Sequence, residues 1–569
     1  MFQSYSAVIF FSCLLSTGLL SAPTTSQAAS PFIRGDVDTN GVFDLTDARR
    51  ALTFIFLGDP VDCQEAVDVN GDGILEVGDP LTLLRFLFGL GPSPALPFPS
   101  CGLTSDTALG CAVHYFCEME NLPCDENHCP IVPEKELFIT DLSVVEDPCR
   151  TTWNPTCTGG ERGAWTFGKL MASLAGLPSV NRNPGRLSDF VLDWLGQIGV
   201  DQEINGTIVK GRSGVRPFVD KWAQISGFED AEDPDLILDM TRAPFRLLSI
   251  VSRLDLRVDA ETSVFGRAGE SRFVFGFLDI DLENPDDPDQ WFSSFATVIF
   301  EYHLPASECA DLSLWAERWH VLGSLPFGDE FNKVLQDITD GFAGFNADPN
   351  RVNGSSLAQL RTNEVQFDDP WELREFHLSA SRVPKANSTA SFARLIQSTV
   401  AQTMDLRHQG SKLLQDYVAS EKEAIENGRH QVPESFDGQP FAAGSALLPS
   451  PIFSWEVPGF ECTEARQTVS FNTCNGCHGG ETGTFFLHVE RRSAGREARL
   501  SGFLTGVAQP DPDCFPQDPL MNTTTRTFND LQRRARDLQD ILRIGCSAVS
   551  DEAATAEVFS TPNRSTTVH

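Results

Sequence analysis

DVDTNGVFDLTD (Asp36–Asp47) returns, altered but in the same rhythm, as DVNGDGILEVGD (Asp68–Asp79). Each stretch places oxygen-bearing side chains at loop positions 1, 3, 5, 9 and 12, with glycine at position 6. That is the ligand pattern of a twelve-residue calcium loop. The first loop offers Asp36, Asp38, Asn40, Asp44 and Asp47, with the Val42 carbonyl at position 7. The second offers Asp68, Asn70, Asp72, Glu76 and Asp79, with the Ile74 carbonyl. Calcium takes six to eight hard oxygen ligands, and the loop must turn sharply where Gly41 and Gly73 stand. A solvated acidic turn would explain one such match. Two in tandem predict two bound calcium ions.

The repeats agree beyond their loops. ARRALTFIFLGDP follows the first and PLTLLRFLFGLGP the second, with apolar residues such as Leu52, Ile55 and Phe56, then Leu83, Leu84 and Leu87, at helical spacing. Gly58 and Gly89 then end each helix, with proline soon after. Each repeat is therefore a loop followed by one helix. This resembles the dockerin module, a paired half-EF-hand, over roughly residues 33–92. The resemblance implies a small all-α, calcium-folded docking domain (residues 30–92) with a cohesin-like or cell-surface docking partner. The repeats stand farther apart than in the usual dockerin. Loop positions 10 and 11 are Leu45 and Thr46, then Val77 and Gly78.

Residues 1–29 read as a secretory signal: an apolar run from Ala7 to Leu20 precedes small residues ending at Ala28 and Ala29. No later stretch is apolar over the ~18 residues a membrane span needs. The expected location is secreted, periplasmic or cell-surface. A formal charge of -36 repels nucleic acid and anionic lipid. Fifteen cysteines are present, and Cys13 lies in the leader. Cys111, Cys117, Cys124 and Cys129 crowd together with His114 and His128. Zinc is one reading of that cluster; an oxidising compartment favours disulfides. Residues 93–136 thus read as a Pro/Cys-rich, disulfide-stapled linker.

CNGCH, Cys474–His478, is the second motif. C-x-x-C-H is the attachment signature of c-type haem: two thiols three apart bond the vinyl groups and the next histidine lies under the iron. The segment resembles cytochrome c over the motif and its surroundings. TEARQTVSF predicts a helix leading in, FNDLQRRARDLQDIL (Phe528–Leu542) a closing helix, and TGTFFLHVERRSAGREARLSGFLTG between them a β-hairpin. Met521 or His488 is the expected sixth ligand. A disulfide between Cys474 and Cys477, or a zinc site with His478, are the other readings; His488 also reads as a core histidine.

Residues 137–460 show no G-x-S-x-G, H-E-x-x-H, P-loop or dinucleotide fingerprint. FITDLSVV, SRFVFGFLDIDL and ATVIFEYHL predict strands. GAWTFGKLMASLAG, LSDFVLDWLGQIG, LSLWAERWHVLG and the long stretch from Ala393 to Glu426 predict helices. The mixture lacks regular alternation, so the class is a larger α+β domain within a multidomain chain. Arg253, Arg257, Arg272 and Arg374 are expected to form buried ion pairs, and His303 and His320 to be structural. Glu372 and Glu375 flank Arg374, but sequence cannot show whether they face one groove as glycosidase carboxylates do.

The middle domain and the CxxCH segment (461–550) together resemble an uncharacterised family of exported bacterial proteins carrying NTCNGCH. The last nineteen residues, 551–569, read as a flexible tail. Three functions are consistent with these residues. The first is an exported calcium-binding modular protein, with a docking module and one haem c for electron transfer or redox chemistry with a redox partner. The second is an extracellular hydrolase, polysaccharide-degrading and attached through the module. The third is a non-catalytic surface or adhesion protein.

Overall fold

The computed structural model describes residues 31–39, 43, 45–88, 90–98, 102, 109–111, 114, 117, 130–157, 159–257, 268–306, 309–384, 391–398, 400–427, 430–447, 454–484, 486–510 and 525–544. The leader 1–29, the tail 551–569, and Asn40, Val42, Asp44 and Met521 lie outside them. Two compact units divide the chain near residue 118.

The described part of the first unit carries helices Leu45–Leu57, Gln64–Val67 and Gly78–Leu87. The first ends where Gly58 turns to φ 74°, its N–H donating to the Phe54 carbonyl at 3.1 Å. The apolar stripes bury little. Val37, Ala51 and Val67 form one small cluster, and Ala48, Val69 and Leu83 another. The chain after the helices folds back onto the unit. Ala95 N–H donates to the Val69 carbonyl at 3.0 Å, Phe32 and Gly102 form a bridge, and Cys63 is disulfide-bonded to Cys111. Much of what reads as a linker from residue 93 is therefore part of this unit.

The second unit is built on a seven-stranded antiparallel sheet: β1 (Phe138–Ile139), β2 (Phe245–Arg253), β3 (Glu270–Asp279), β4 (Phe292–His303), β5 (Leu357–Asn363), β6 (Leu373–Pro384) and β7 (Ser391–Ser398). The strands lie side by side in chain order. The α+β class follows from this sheet and the helices around it. Alternation explains its two faces. In RFVFGF, Phe273 and Phe275 face a layer of helices, where Phe167 (helix Phe167–Leu174) meets Phe275 and Phe342 (helix Asp329–Ala343) meets Phe273. Phe376 packs on Trp194 of helix Pro184–Ile198. Arg272 and Val274 point the other way.

That second face carries charge at registered positions. Arg253 pairs in register with Glu270, Arg272 with Glu301, and Arg361 with Glu375. Side chains in register share a face, so the pairs form a cross-strand ladder. Arg272 Nε donates to Glu270 at 2.7 Å, and Arg361 Nε to Glu375 at 2.9 Å. Leaving one partner of such a buried pair alone costs several kcal/mol (about 3–5). The four expected arginine pairs are present: Arg253–Asp255, Arg257–Asp537, Arg272–Glu270 and Arg374–Glu372. His303 binds Asp348 and His320 binds Glu136, both as structural contacts.

Three local expectations change. LSVV (Leu142–Val145) is a helical turn, because Asp141 accepts the Ser143 N–H at 2.8 Å as an N-cap. The stretch from Ala393 begins as strand, passes through a 3-10 turn at Leu406–His408, and becomes α-helical at Lys412–Ser420. Pairing of Leu395 with Leu378 decides between two periodicities that a short apolar run cannot separate. The expected hairpin after CNGCH shows one bridge, Val489 with Leu500, and no strand among the described residues. The middle domain and the CxxCH segment share one core, from Leu137 to Ile541. Among the described residues no helix is long and apolar enough to cross a membrane.

At the edge of the helix layer, Arg212 and Arg374 share Glu364 and Glu372, with Arg374 Nε 3.4 Å from Glu364. Burial, and then the neighbouring Glu372 charge, push Glu364 up to about 7 despite Arg374. The folded state therefore holds this proton more tightly than the unfolded chain. Stability from this group is full below the unfolded value near 4.5 and is lost as pH rises through 7. Glu364→Gln should remove a loss on the order of 3 kcal/mol between pH 4.5 and 8. Unfolding measured at both pH values tests this; identical pH dependence in variant and parent would refute it.

Candidate functional site

CNGCH occupies one helical turn, Cys474–Cys477, after the helix Glu464–Phe471. Thr473 caps the turn, its hydroxyl accepting from Gly476 N–H at 3.0 Å. Cys477 N–H donates to the Thr473 carbonyl at 3.0 Å and His478 N–H to the Cys474 carbonyl at 3.1 Å. Gly476 packs so closely that a β-carbon would collide with the Ser470 carbonyl oxygen. Asn475 accepts from Trp455 Nε1 at 3.0 Å and donates to the Leu447 carbonyl at 2.6 Å. A buried Arg466–Glu481 ion pair braces the same segment. The turn is thus fixed on every side before any group binds.

Both thiols are buried and free. Burial pushes Cys474 up to about 12 and Cys477 well above the ordinary thiol value, so both sulfurs are neutral at pH 7. His478 Nδ1 donates to the Phe486 carbonyl at 2.7 Å, which leaves Nε2 with its lone pair. Burial lowers His478 to about 4, so that lone pair is available at neutral pH. His488 Nε2 lies 3.1 Å from Cys477 Sγ, and its Nδ1 2.9 Å from Ser501 Oγ. The ligand atoms of Cys477, His478 and His488 all lie within 4.8 Å of one another.

The donor set fits haem c on one face: two neutral sulfurs on one turn and an imidazole oriented by its second nitrogen. The two imidazoles stand as neighbours, with ring centres 4.2 Å apart. Ligands facing each other across one metal would put ring centres roughly 6 Å apart, given metal–nitrogen distances of about 2.0–2.1 Å.

Between this turn and the charged face of the sheet lies a cavity of about 70 Å³. His478 and His488 line it together with Arg253, Arg272, Arg361 and Arg534. Trp371 forms an aromatic wall, 5.4 Å from His478 and 5.6 Å from Phe486 between ring centres. Trp371, Phe486 and the four arginines were not singled out together by sequence. Alternating arginines in RFVF and LRTN were the available signal, but only strand register brings them to one place.

In the first unit, carboxylate oxygens of Asp36, Asp38 and Asp47 converge within 4.8 Å. These residues are 0%, 8% and 0% exposed. Three ionised carboxylates held this close and this dry repel one another strongly unless a cation joins them. The residues therefore fit a calcium ion. Val37 N–H donates to Asp47 at 2.8 Å, and His114 Nε2 lies 3.4 Å from Asp36. His114 also accepts from Ile33 N–H at 3.2 Å, and burial lowers it to about 4. It is thus a neutral wall of this loop. Cys111 of the same cluster is in a disulfide; Cys124, Cys129 and His128 lie outside the described residues.

The second loop folds around its own amides. Asp68 accepts from Gly71, Asp72 and Gly73 N–H at 3.0–3.1 Å. Asn70 accepts from Asp72 N–H, Asp72 from Ile74 N–H, and Asp79 from Glu76 N–H. Burial raises Asp79, and Asp68 and Asp72 add to the rise. Arg34, just before the first loop, reaches Asp68 at 2.9 Å and so ties the two repeats together. Glu372 and Glu375, the acids flanking Arg374, bind Arg374 and Arg361 respectively rather than facing one groove.

Removing calcium with EDTA should unfold the first unit in the intact chain while the sheet keeps its amide-exchange protection. Calcium at a hundredfold over its dissociation constant should stabilise that unit by about 3 kcal/mol. Replacing Asp36 and Asp68 together with alanine should abolish this gain. Full calcium-dependent protection in the double variant would refute the ligand assignment.

No protein-family model, curated protein or solved structure matches this chain, so its sites stand on their own geometry.

Proposed function

We propose that this chain is an exported, calcium-binding modular protein whose second unit carries one haem c for electron transfer or redox chemistry. The observation that carries the reading is the pre-formed CNGCH turn. It holds two free, buried, neutral thiols on one turn, followed by an oriented imidazole that lines the adjoining cavity. Burial favours uncharged sulfur, and a thioether is uncharged, whereas a lone thiolate would carry the full desolvation penalty. Cys474 and Cys477 would hold the porphyrin and His478 the iron; His488 stands beside His478 rather than across from it, which leaves Met521, outside the described residues, as the candidate sixth ligand. When bound, the group supplies reversible one-electron transfer, its potential set by the axial ligands and the polarity around it.

The chain's own residues would set that environment. Phe486 orients His478, Trp371 shields it, and the cross-strand ladder brings Arg253, Arg272 and Arg361, each paired with a carboxylate, to the cavity. The first unit, dockerin-like in its repeats, would bind two calcium ions and dock the protein to a cohesin-like or cell-surface partner. The leader-like residues 1–29 and the disulfides Cys63–Cys111 and Cys149–Cys157 support export.

A second reading rests on the 4.8 Å cluster of Cys477, His478 and His488, a spacing suited to one tetrahedral ion such as zinc. The full chain made with a haem-attachment system separates the two. Haem c predicts a sharp Soret band and peroxidase staining that survives denaturation. Staining should vanish when Cys474 and Cys477 are both alanine, and the Soret band should shift in His478→Ala. One bound zinc per chain without a Soret band would replace haem with the ion.

A further inference from the structure

The cavity beside CNGCH has a second chemical feature, made by an alternating chain of charges. Arg253 Nε donates to Asp255 at 2.9 Å, and Arg533 Nη2 to the same carboxylate at 2.8 Å. Arg533 Nε then donates to Asp530 at 2.7 Å, and Arg534 Nε to Asp530 at 2.6 Å. Three guanidinium groups thus share two carboxylates, and both ends of the chain are cationic. Those ends, Arg253 and Arg534, line the cavity and are only 1% and 3% exposed. In each, the Nη1 group has no hydrogen-bond partner among the described residues. A buried guanidinium N–H left without an acceptor is costly, and two lining one cavity call for a shared acceptor.

We propose that the cavity contains an oxyanion subsite, in which Arg253 Nη1 and Arg534 Nη1 donate to two oxygens of a carboxylate or small inorganic oxyanion. Bound there, the anion completes both guanidinium groups. Arg534 remains charged at neutral pH although burial, followed by the Arg253 charge, lowers it to about 10. Glu270, in register with Arg253, gives one oxygen to Arg272 at 2.7 Å, and its other oxygen has no hydrogen-bond partner among the described residues. The subsite rests on these guanidinium groups and stands whether or not the haem reading holds. Its oxyanion has two sources: a free anion beside the redox centre, or the carboxylate side chains of the porphyrin itself.

The test uses the full chain in low-chloride buffer at pH 7, titrated separately with acetate, nitrite and sulfite by calorimetry. Haem-free protein should bind at least one of them saturably. Arg253→Gln and Arg534→Gln should each weaken that binding tenfold or more, the loss of one charge-assisted hydrogen bond. Protein carrying covalent haem distinguishes the sources. Retained binding means a free oxyanion; binding lost on haem attachment means that porphyrin carboxylates occupy the donors. No binding of any of the three by the haem-free parent overturns the proposal, and this requires no variant to fold. Binding unchanged in both glutamine variants overturns it equally. Peroxidase staining reports the haem reading separately, so the two fail independently.

Discussion

Buried charge on one face of a sheet has to be answered, and that constraint organises the second unit. Arg272, Glu301, Arg361 and Glu375 sit on strands whose other face is aromatic core. Desolvating them is tolerable only if each meets an opposite charge or a hydrogen-bond donor. Cross-strand register supplies most of those partners. The C-terminal segment adds a further one, Arg533 of the closing helix on Asp255. The segment is therefore a structural part of the unit as well as the bearer of its reactive groups.

The same burial shapes the chemistry at the turn. It suppresses thiolates at Cys474 and Cys477 and protons at His478, so the site presents neutral sulfur and neutral nitrogen. Arg253, Arg272 and Arg361 reach the cavity from the sheet and Arg534 from the closing helix, with the Trp371 ring beside His478. A group with an apolar body and anionic edges matches that arrangement. The first unit follows the opposite logic. There the carboxylates of Asp36, Asp38 and Asp47 converge, an arrangement that a cation would complement.

Sequence made some of this legible and hid the rest for physical reasons. The repeated acidic loops and CNGCH are short-range patterns visible in the sequence; the structure brings Asp36, Asp38 and Asp47 together and folds CNGC as one helical turn. The strands Glu270–Asp279 and Phe292–His303 showed in the alternation of RFVFGF and in aromatic, β-branched runs. Long amphipathic helices such as Asp530–Ile544 were equally plain. The strand beginning at Ser391 was not, because its apolar positions suit either period until pairing with the preceding strand decides. The buried fate of four arginines was foreseeable from the excess of acids. Their convergence with Arg361 and Arg534 on one cavity was not, since it depends on register between strands far apart in the chain.

The central claim is that Cys474 and Cys477 serve as the covalent attachment points of one porphyrin. Intact-mass spectrometry of the exported chain, after denaturation and treatment with a thiol alkylator, tests it most directly. The account predicts a mass excess of one iron porphyrin and no alkylation at either cysteine. A chain without that excess, alkylated at both, would contradict it.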